Sequence, residues 1–250
     1  MLRHRVIPVV LLDGYSVLKT IQFDVRRNLG NPVTVVRVYN SRNVDELILL
    51  DIDASKQNRH IDYFTIEDVA SECFMPLTVG GGLKNCEEIE KVLKRGADKV
   101  VLNTEPLRNP GIIKESSSHF GSQCIVVSID VKKEKDKYKV FSHAEVNMDI
   151  EFIEWCRIAE SLGAGELFIN SVDLDGKMTG YDYSLIKMVS DSVKVPVIAC
   201  GGASKPEDCA GAVKSGASAA AAASIFHFAD VTPEDCRQKM RDVGIPVRKR

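Results

Sequence analysis

The chain has 250 residues, 44% of them hydrophobic, and a formal net charge of −2. That length suits one α/β barrel of about 250 residues or two small domains, and the balanced charge excludes a surface drawn as a whole to nucleic-acid phosphates or to anionic membrane. Seven cysteines without a C-x-x-C pair fit reduced thiols in a cytoplasmic protein, no apolar run reaches membrane-spanning length, and neither a metal nor a cofactor is expected.

Charged residues followed by the apolar run 6–12 imitate a leader peptide, but the run is short, ends at Asp13-Gly14 and has no small-residue cleavage site. Residues 5–12 read instead as a strand covered on both faces. Residues 13–32 are polar, hold Gly14, Lys19, Gly30 and Asn31, and read as a long functional loop. Residues 33–43 look β-branched, yet a helix is assigned there because strands alternate with helices elsewhere. Strand two covers 46–52, a helix 63–73, strand three 77–79, a helix 86–95 and strand four 99–102. Asn109-Pro110 opens a helix to about residue 119.

Strand five covers 124–129 and ends in Asp130. Residues 131–143 are lysine-rich and read as a small hairpin outside the main sheet. A helix over 150–162, strand six at 166–170 and a polar loop at 171–182 follow. Then come a helix at 183–192, strand seven at 195–199, a helix at 205–215, the alanine-rich strand eight at 219–223 and a last helix from about 233 to 243. Eight strand–helix units without a linker predict a single (β/α)8 barrel over 1–250. An open doubly wound sheet is the alternative.

The barrel is favoured by an internal repeat. Residues 75–84, MPLTVGGGLK, return as residues 195–204, VPVIACGGAS. Pro76 and Pro196, Gly82 and Gly202, Glu46 and Glu166, and Asp53 and Asp173 are all 120 apart. The chain reads as two half-barrels, about 1–120 and 121–245. Each carries a glycine turn through which backbone N–H groups can reach a phosphate, although ordinary strand-to-helix turns would also hold glycine.

In a barrel, residues just after each strand surround the C-terminal mouth, where chemistry occurs. Asp51, Gly82, Asn103, Thr104, Asp130, Ser171, Gly202, Ala223 and Ser224 stand there. Gly82 with Asn103 and Thr104 would hold one phosphate. Gly176 and Gly202 with Ala223 and Ser224 would hold another, so the ligand would be a small molecule phosphorylated at both ends. Asp130, between them, is the candidate general base; capping a backbone group or pairing with lysine is the alternative. At the other rim Arg5, Glu46, Lys99 and Glu166 begin four strands, two charges of each sign, and on residues alone read most simply as solvated rim charge.

The segments Gly80-Gly-Gly82, Gly121-Ser-Gln-Cys-Ile-Val126, Asp173-x-Asp175-Gly176, Gly180-Tyr-Asp182, Gly201-Gly-Ala203 and Ser224-Ile-Phe-His-Phe228 resemble the cyclase subunit of imidazole glycerol phosphate synthase, over nearly the whole chain. The resemblance implies a barrel that works as a heterodimer with a glutaminase docked at its bottom. Ammonia then crosses the interior to the mouth. It implies an ammonia gate at Arg5, Glu46, Lys99 and Glu166, a partner contact at Asp98, a general base at Asp130, and ligand contacts that include Lys19, Asp51, Ser171 and Asp175.

This sequence also departs from that family. The family's second catalytic aspartate, at the end of strand one, has no counterpart in Pro8-Val-Val-Leu-Leu-Asp-Gly14: its place falls on Val10 or Leu11, and Asp13 matches a later Asp-Gly. Residues 144–149 lack the family's Gly/Thr-rich loop, and Met178 replaces a lysine. These changes suggest a specialised relative that supplies ammonia to a third enzyme making acetamidino sugars for surface polysaccharide. The alternatives are an authentic cyclase using Asp130 and Asp13, a non-catalytic scaffold that tunes the glutaminase, and a sugar-phosphate isomerase of the sister family.

Overall fold

The computed structural model describes residues 3–142, 150–228 and 230–248. Residues 144–149, where the Gly/Thr-rich loop is missing, lie outside that set. Eight parallel strands close on themselves. They are β1 (Arg5–Leu12), β4 (Leu47–Asp51), β5 (Leu77–Gly80), β6 (Lys99–Leu102), β7 (Ile125–Glu134), β9 (Glu166–Ser171), β10 (Val197–Cys200) and β11 (Ala219–Ala222). β11 pairs with β1, Arg5 opposite Ala219, and this pairing completes the barrel. The strands are apolar on both faces because one face meets helices and the other fills the interior.

The outer layer contains α1 (Pro32–Ser41), α2 (Tyr63–Glu72), α3 (Cys86–Lys94), α5 (Gly111–Phe120), α6 (Phe152–Ser161), α7 (Tyr183–Ser190), α8 (Pro206–Lys214) and α10 (Pro233–Asp242). Several of their N-termini are capped by side chains. Asn31, Asp62, Asn85 and Thr232 each accept backbone N–H bonds of the turn they begin. The helix at 32–41 confirms that alternation outweighs β-branching: Val36 and Tyr39 are buried against the barrel.

Between them, Ile7, Val9, Ile48, Val101, Val126, Phe168, Ile198, Ala219 and Ala221 fill the barrel interior. The alanines of β11 leave room for the Phe168 ring, the large-against-small packing that a narrow cylinder needs.

Five elements differ from the reading of the sequence. Residues 13–32 are not a loop: β2 (Val17–Ile21) and β3 (Val25–Gly30) form an antiparallel hairpin on β1. Its turn carries Gln22 and Phe23 at φ 51° and 66°, with no Asn-Gly pair to announce it. Short helices α4 (Thr104–Arg108) and α9 (Ser224–Phe228) follow β6 and β11 directly, and they begin 120 residues apart. β7 runs past Asp130 into the predicted outer hairpin, pairing with β8 (Lys137–Phe141).

The ladders also fix the repeat in space. Leu11 lies opposite Leu50 and Asp130 opposite Asn170. Leu50 and Asn170 are 120 apart, so Leu11 is the counterpart of Asp130. Their offset is 119, one short, so the first half-barrel is one residue shorter between Leu11 and Leu50 than the second is between Asp130 and Asn170.

Candidate active site at the barrel mouth and a charge ring beneath it

At the start of the strands four charged side chains meet. Arg5 donates to Glu46 Oε2 at 2.5 Å and to Glu166 Oε1 at 2.6 Å. Lys99 Nζ lies 3.1 Å from Glu46 Oε1 and 3.0 Å from Glu166 Oε2. Charges alternate around a closed ring, and the Thr78 hydroxyl adds a bond to Glu46 at 2.9 Å. Side-chain exposures of 3–19% place the ring inside the rim rather than in bulk water. Burial pulls the Arg5 guanidinium down, but Glu46 and Glu166 more than reverse it and leave its pKa raised. Burial likewise pushes Glu46 up, and Arg5 and Lys99 overcome it, so its pKa ends below the usual carboxylate value. Solvated rim charge is therefore not what these residues are. Asp98, next to Lys99, is exposed and accepts the Leu77 N–H at 2.8 Å.

The other end opens into a cavity of about 1360 Å³ counted out to solvent. Asp51, Gly82, Asn103, Thr104, Asp130, Asp175, Gly176, Gly202, Ala223 and Ser224 all line it. Asp51 is fully engaged: Arg59 holds it with two bonds of 2.6 and 2.8 Å, and it accepts the Asp53 and Ala54 N–H groups. It shapes the loop around the first glycine turn.

Both glycine turns are required by the chain itself. Gly82 has φ +67° and Gly202 φ +99°. A Cβ on Gly202 would stand 2.2 Å from the Gly180 carbonyl oxygen, and one on Gly82 would stand 2.8 Å from the Ala54 Cβ. Close approach of neighbouring loops and a left-handed backbone explain these glycines without any ligand.

Asp130 is held from two sides. Asn103 Nδ2 donates to its Oδ2 at 3.1 Å, and the Asn170 side chain bonds to it as well. Burial pushes its carboxyl up to about 7; the two asparagine bonds oppose this, and the nearby Asp175 charge adds to it. Asp175 is pushed up to about 6, chiefly by burial, while Thr20, the Phe23 backbone and the Lys19 charge pull it back. The Thr20 hydroxyl lies 3.1 Å from Asp175 Oδ2, and Gln22 N–H donates to the Asp175 carbonyl at 2.9 Å. The β2–β3 hairpin therefore lies across one side of the mouth. At its tip Phe23 meets Phe141 of β8 at 6.3 Å.

Several expected residues stand elsewhere. Asp13 does not line the cavity; it accepts the Ser16 N–H at 3.0 Å and closes the turn into β2. Ser171 is buried behind the lining. Lys19, half-buried on β2, acts on Asp175 and His227 through its charge. Leu11, not Val10, faces the cavity. Val10 packs outward among the core residues under the helices.

Asn170, Cys200, Ser128, Phe23 and Lys56 also line the mouth and were not foreseen. Asn170 could have been found from the repeat, since it lies opposite Asp130 as Leu50 lies opposite Leu11. Lys56 carried no signal beyond its charge. Two carboxyls with raised pKa values, a deep pocket and paired glycine turns can bind an anionic ligand and move protons on it.

Residues 5–232 match the histidine biosynthesis protein family. The chain is 46% identical over 248 residues to the putative imidazole glycerol phosphate synthase subunit hisF2 of Campylobacter jejuni, covering 99% of each chain. It is 43% identical to the imidazole glycerol phosphate synthase subunit HisF of Petrotoga mobilis, covering 99% of this chain and 100% of that one. It is 42% identical to the corresponding subunit of Thermobifida fusca, covering 98% of each. The closed barrel and these full-length matches together place the chain in the histidine biosynthesis protein family, among its HisF-type members.

Proposed function

We propose that this chain is the synthase subunit of a glutamine-dependent amidotransferase of the imidazole glycerol phosphate synthase type. A glutaminase subunit would dock on the bottom rim, around the charge ring and Asp98. Ammonia would enter through the ring, cross the apolar interior as a neutral molecule and react at the mouth. The observation that carries this reading is the alternation of layers along one axis. A buried ring of balanced charge lies below, an uncharged core occupies the middle, and a titratable Asp130 stands above. An ammonium ion would meet a large desolvation cost in that core, whereas ammonia would not.

The mouth would hold a ligand phosphorylated at both ends. One end would rest on Gly82, Asn103 and Thr104, the other on Gly176, Gly202, Ala223 and Ser224. Lys19 and Lys56 lie near enough to add positive charge at this rim, the first through its field on Asp175 and the second as a lining residue. Asp130 would be the general base, as the family resemblance implies.

A second reading is favoured by one feature. Leu11, one of the two positions to which the resemblance assigns the family's strand-one acid, lines the cavity. Under that reading ammonia leaves the mouth for a third enzyme, which converts an acetamido group of a surface sugar to an acetamidino group. One assay separates the two. The chain is mixed with ammonium salt and the ribulosyl bisphosphate intermediate of histidine synthesis, and imidazole glycerol phosphate is measured. Turnover on the order of 1–10³ s⁻¹, ordinary for an enzyme, is the expected result for the first reading. Its absence, with ammonia still released from the complex when glutamine is hydrolysed, moves the reaction to the third enzyme.

A further inference from the structure

The mouth contains a second carboxyl that the general-base assignment leaves unused. Asp175 sits in the turn after β9 and lines the same cavity as Asp130. The two are close enough for the charge of Asp175 to act on Asp130. Thr20 from β2 fixes its Oδ2, and Gln22 fixes its backbone carbonyl. A Cβ on the next residue, Gly176, would stand 2.4 Å from the Thr20 carbonyl, so this turn is seated against the hairpin with no slack. Asp175 is thus a positioned carboxyl rather than a loose surface one. Lys19 from β2 and Cys200 from β10 are the other titratable groups that face it. Meanwhile Leu11, the counterpart of Asp130 in the first half-barrel, brings a hydrocarbon to the cavity.

Ammonia addition to a carbonyl moves protons in both directions and needs two such groups. We propose that Asp175 is the second proton-transfer residue of this mouth, acting with Asp130 on the carbonyl that ammonia attacks and replacing a carboxylate on strand one. This rests on the reading that ammonia reacts here. In the first step the nitrogen lone pair forms a bond to the carbonyl carbon and the C=O π pair moves to oxygen. That oxygen takes a proton from the protonated carboxyl, and the nitrogen gives one to the ionised carboxyl. In the second step the hydroxyl leaves as water with the proton just gained by one carboxyl. The nitrogen forms the C=N bond and returns a proton to the other. Each carboxyl ends as it began, and the sum is ketone plus ammonia giving imine plus water.

Burial brings both carboxyls toward neutral pH, Asp130 to about 7 and Asp175 to about 6, where each can take up or release a proton.

The test is ammonia-driven turnover of the ribulosyl bisphosphate by the full chain and four variants: Asp175→Asn, Asp175→Glu, Asp175→Asn with Leu11→Asp, and Thr20→Val. Asp175→Asn should lower kcat by about 10²–10⁴-fold while KM changes by less than about threefold. Asp175→Glu should keep at least about a tenth of the wild-type kcat. Leu11→Asp should recover at least about tenfold in the Asp175→Asn background, because it returns a carboxyl to the mouth. Thr20→Val removes the bond that holds Asp175 and should cost less than Asp175→Asn. In the Asp175→Asn variant the remaining Asp130 limb of the pH profile should move to lower pH, since the neighbouring charge that raises it is gone. An Asp175→Asn enzyme within about threefold of wild-type kcat overturns the role of Asp175 while leaving the cyclase reading in place. A wild type silent toward ammonia and ribulosyl bisphosphate overturns the reading beneath it, and this role with it.

Discussion

Asp130→Asn is expected to reduce ammonia-driven turnover by about 10²–10⁴-fold, the usual cost of losing one acid–base group. The substitution is nearly isosteric, and Asn103 can still donate to the remaining side-chain oxygen, so the cavity keeps its shape. The same change should stabilise the fold at alkaline pH. A carboxyl whose folded pKa is raised from 3.8 to about 7 gives its full stability below the unfolded value and loses it as pH rises through the folded one. Between about pH 4 and pH 7 the wild type therefore gives up stability that the asparagine variant keeps, up to about 4 kcal/mol from the size of the shift. Urea denaturation at pH 5 and pH 8 measures this directly. A variant that is less active and yet more stable at pH 8 identifies Asp130 as a group held at a cost for chemistry. Equal stability at both pH values would mean that its carboxylate is not strained by burial.

Arg5→Ala carries the largest expected effect on the fold. It leaves Glu46 and Glu166 with only Lys99 between them, so a buried ring of zero net charge becomes one of −1. Removing one partner of a buried pair typically costs about 3–5 kcal/mol. Part of that cost depends on pH. Glu46 has a lowered folded pKa, so its stabilising share is present above its unfolded value of 4.5 and is lost as pH falls through the folded value. Arg5→Ala should therefore destabilise strongly at pH 7 and less below pH 4. By contrast, replacing all four residues with apolar side chains of similar volume should leave stability roughly unchanged, as buried ion networks commonly do. The comparison separates what the ring does for folding from the ammonia passage proposed for it.

Much of this architecture can be read from the residues because the repeat multiplies weak signals. One glycine-rich turn means little; two of them 120 residues apart, with Glu46 and Glu166 at the same spacing, point to a closed barrel of two halves. The mouth residues followed from that topology, since a barrel's chemistry gathers where its strands end. The β2–β3 hairpin was hidden for a physical reason. Its turn uses Gln22 and Phe23 in left-handed conformations, which side chains tolerate only when the surroundings hold them, and here Gln22 is tied to the Asp173 and Asp175 carbonyls. The helices at 104–108 and 224–228 were hidden by their length of five residues, too short for periodicity.

The ring shows a different limit. Strand-start charges look like surface charges until the barrel closes and brings residues 5, 46, 99 and 166 within bonding distance of one another. Asp13 shows the converse. The one acidic residue near the end of strand one lies just past β1, where the chain already turns, and it caps that turn by accepting the Ser16 N–H.

The claim on which the rest depends is that ammonia enters through the charge ring, and the most direct measurement compares two nitrogen sources in one variant. Lys99→Met, assembled with its glutaminase, is supplied first with glutamine and then with ammonium salt, and product is counted against glutamate formed. The account predicts that ammonium-driven product stays near the wild-type level, while glutamine-driven product falls well below the glutamate released. Product and glutamate still formed one for one by Lys99→Met, with the ring broken, would contradict it.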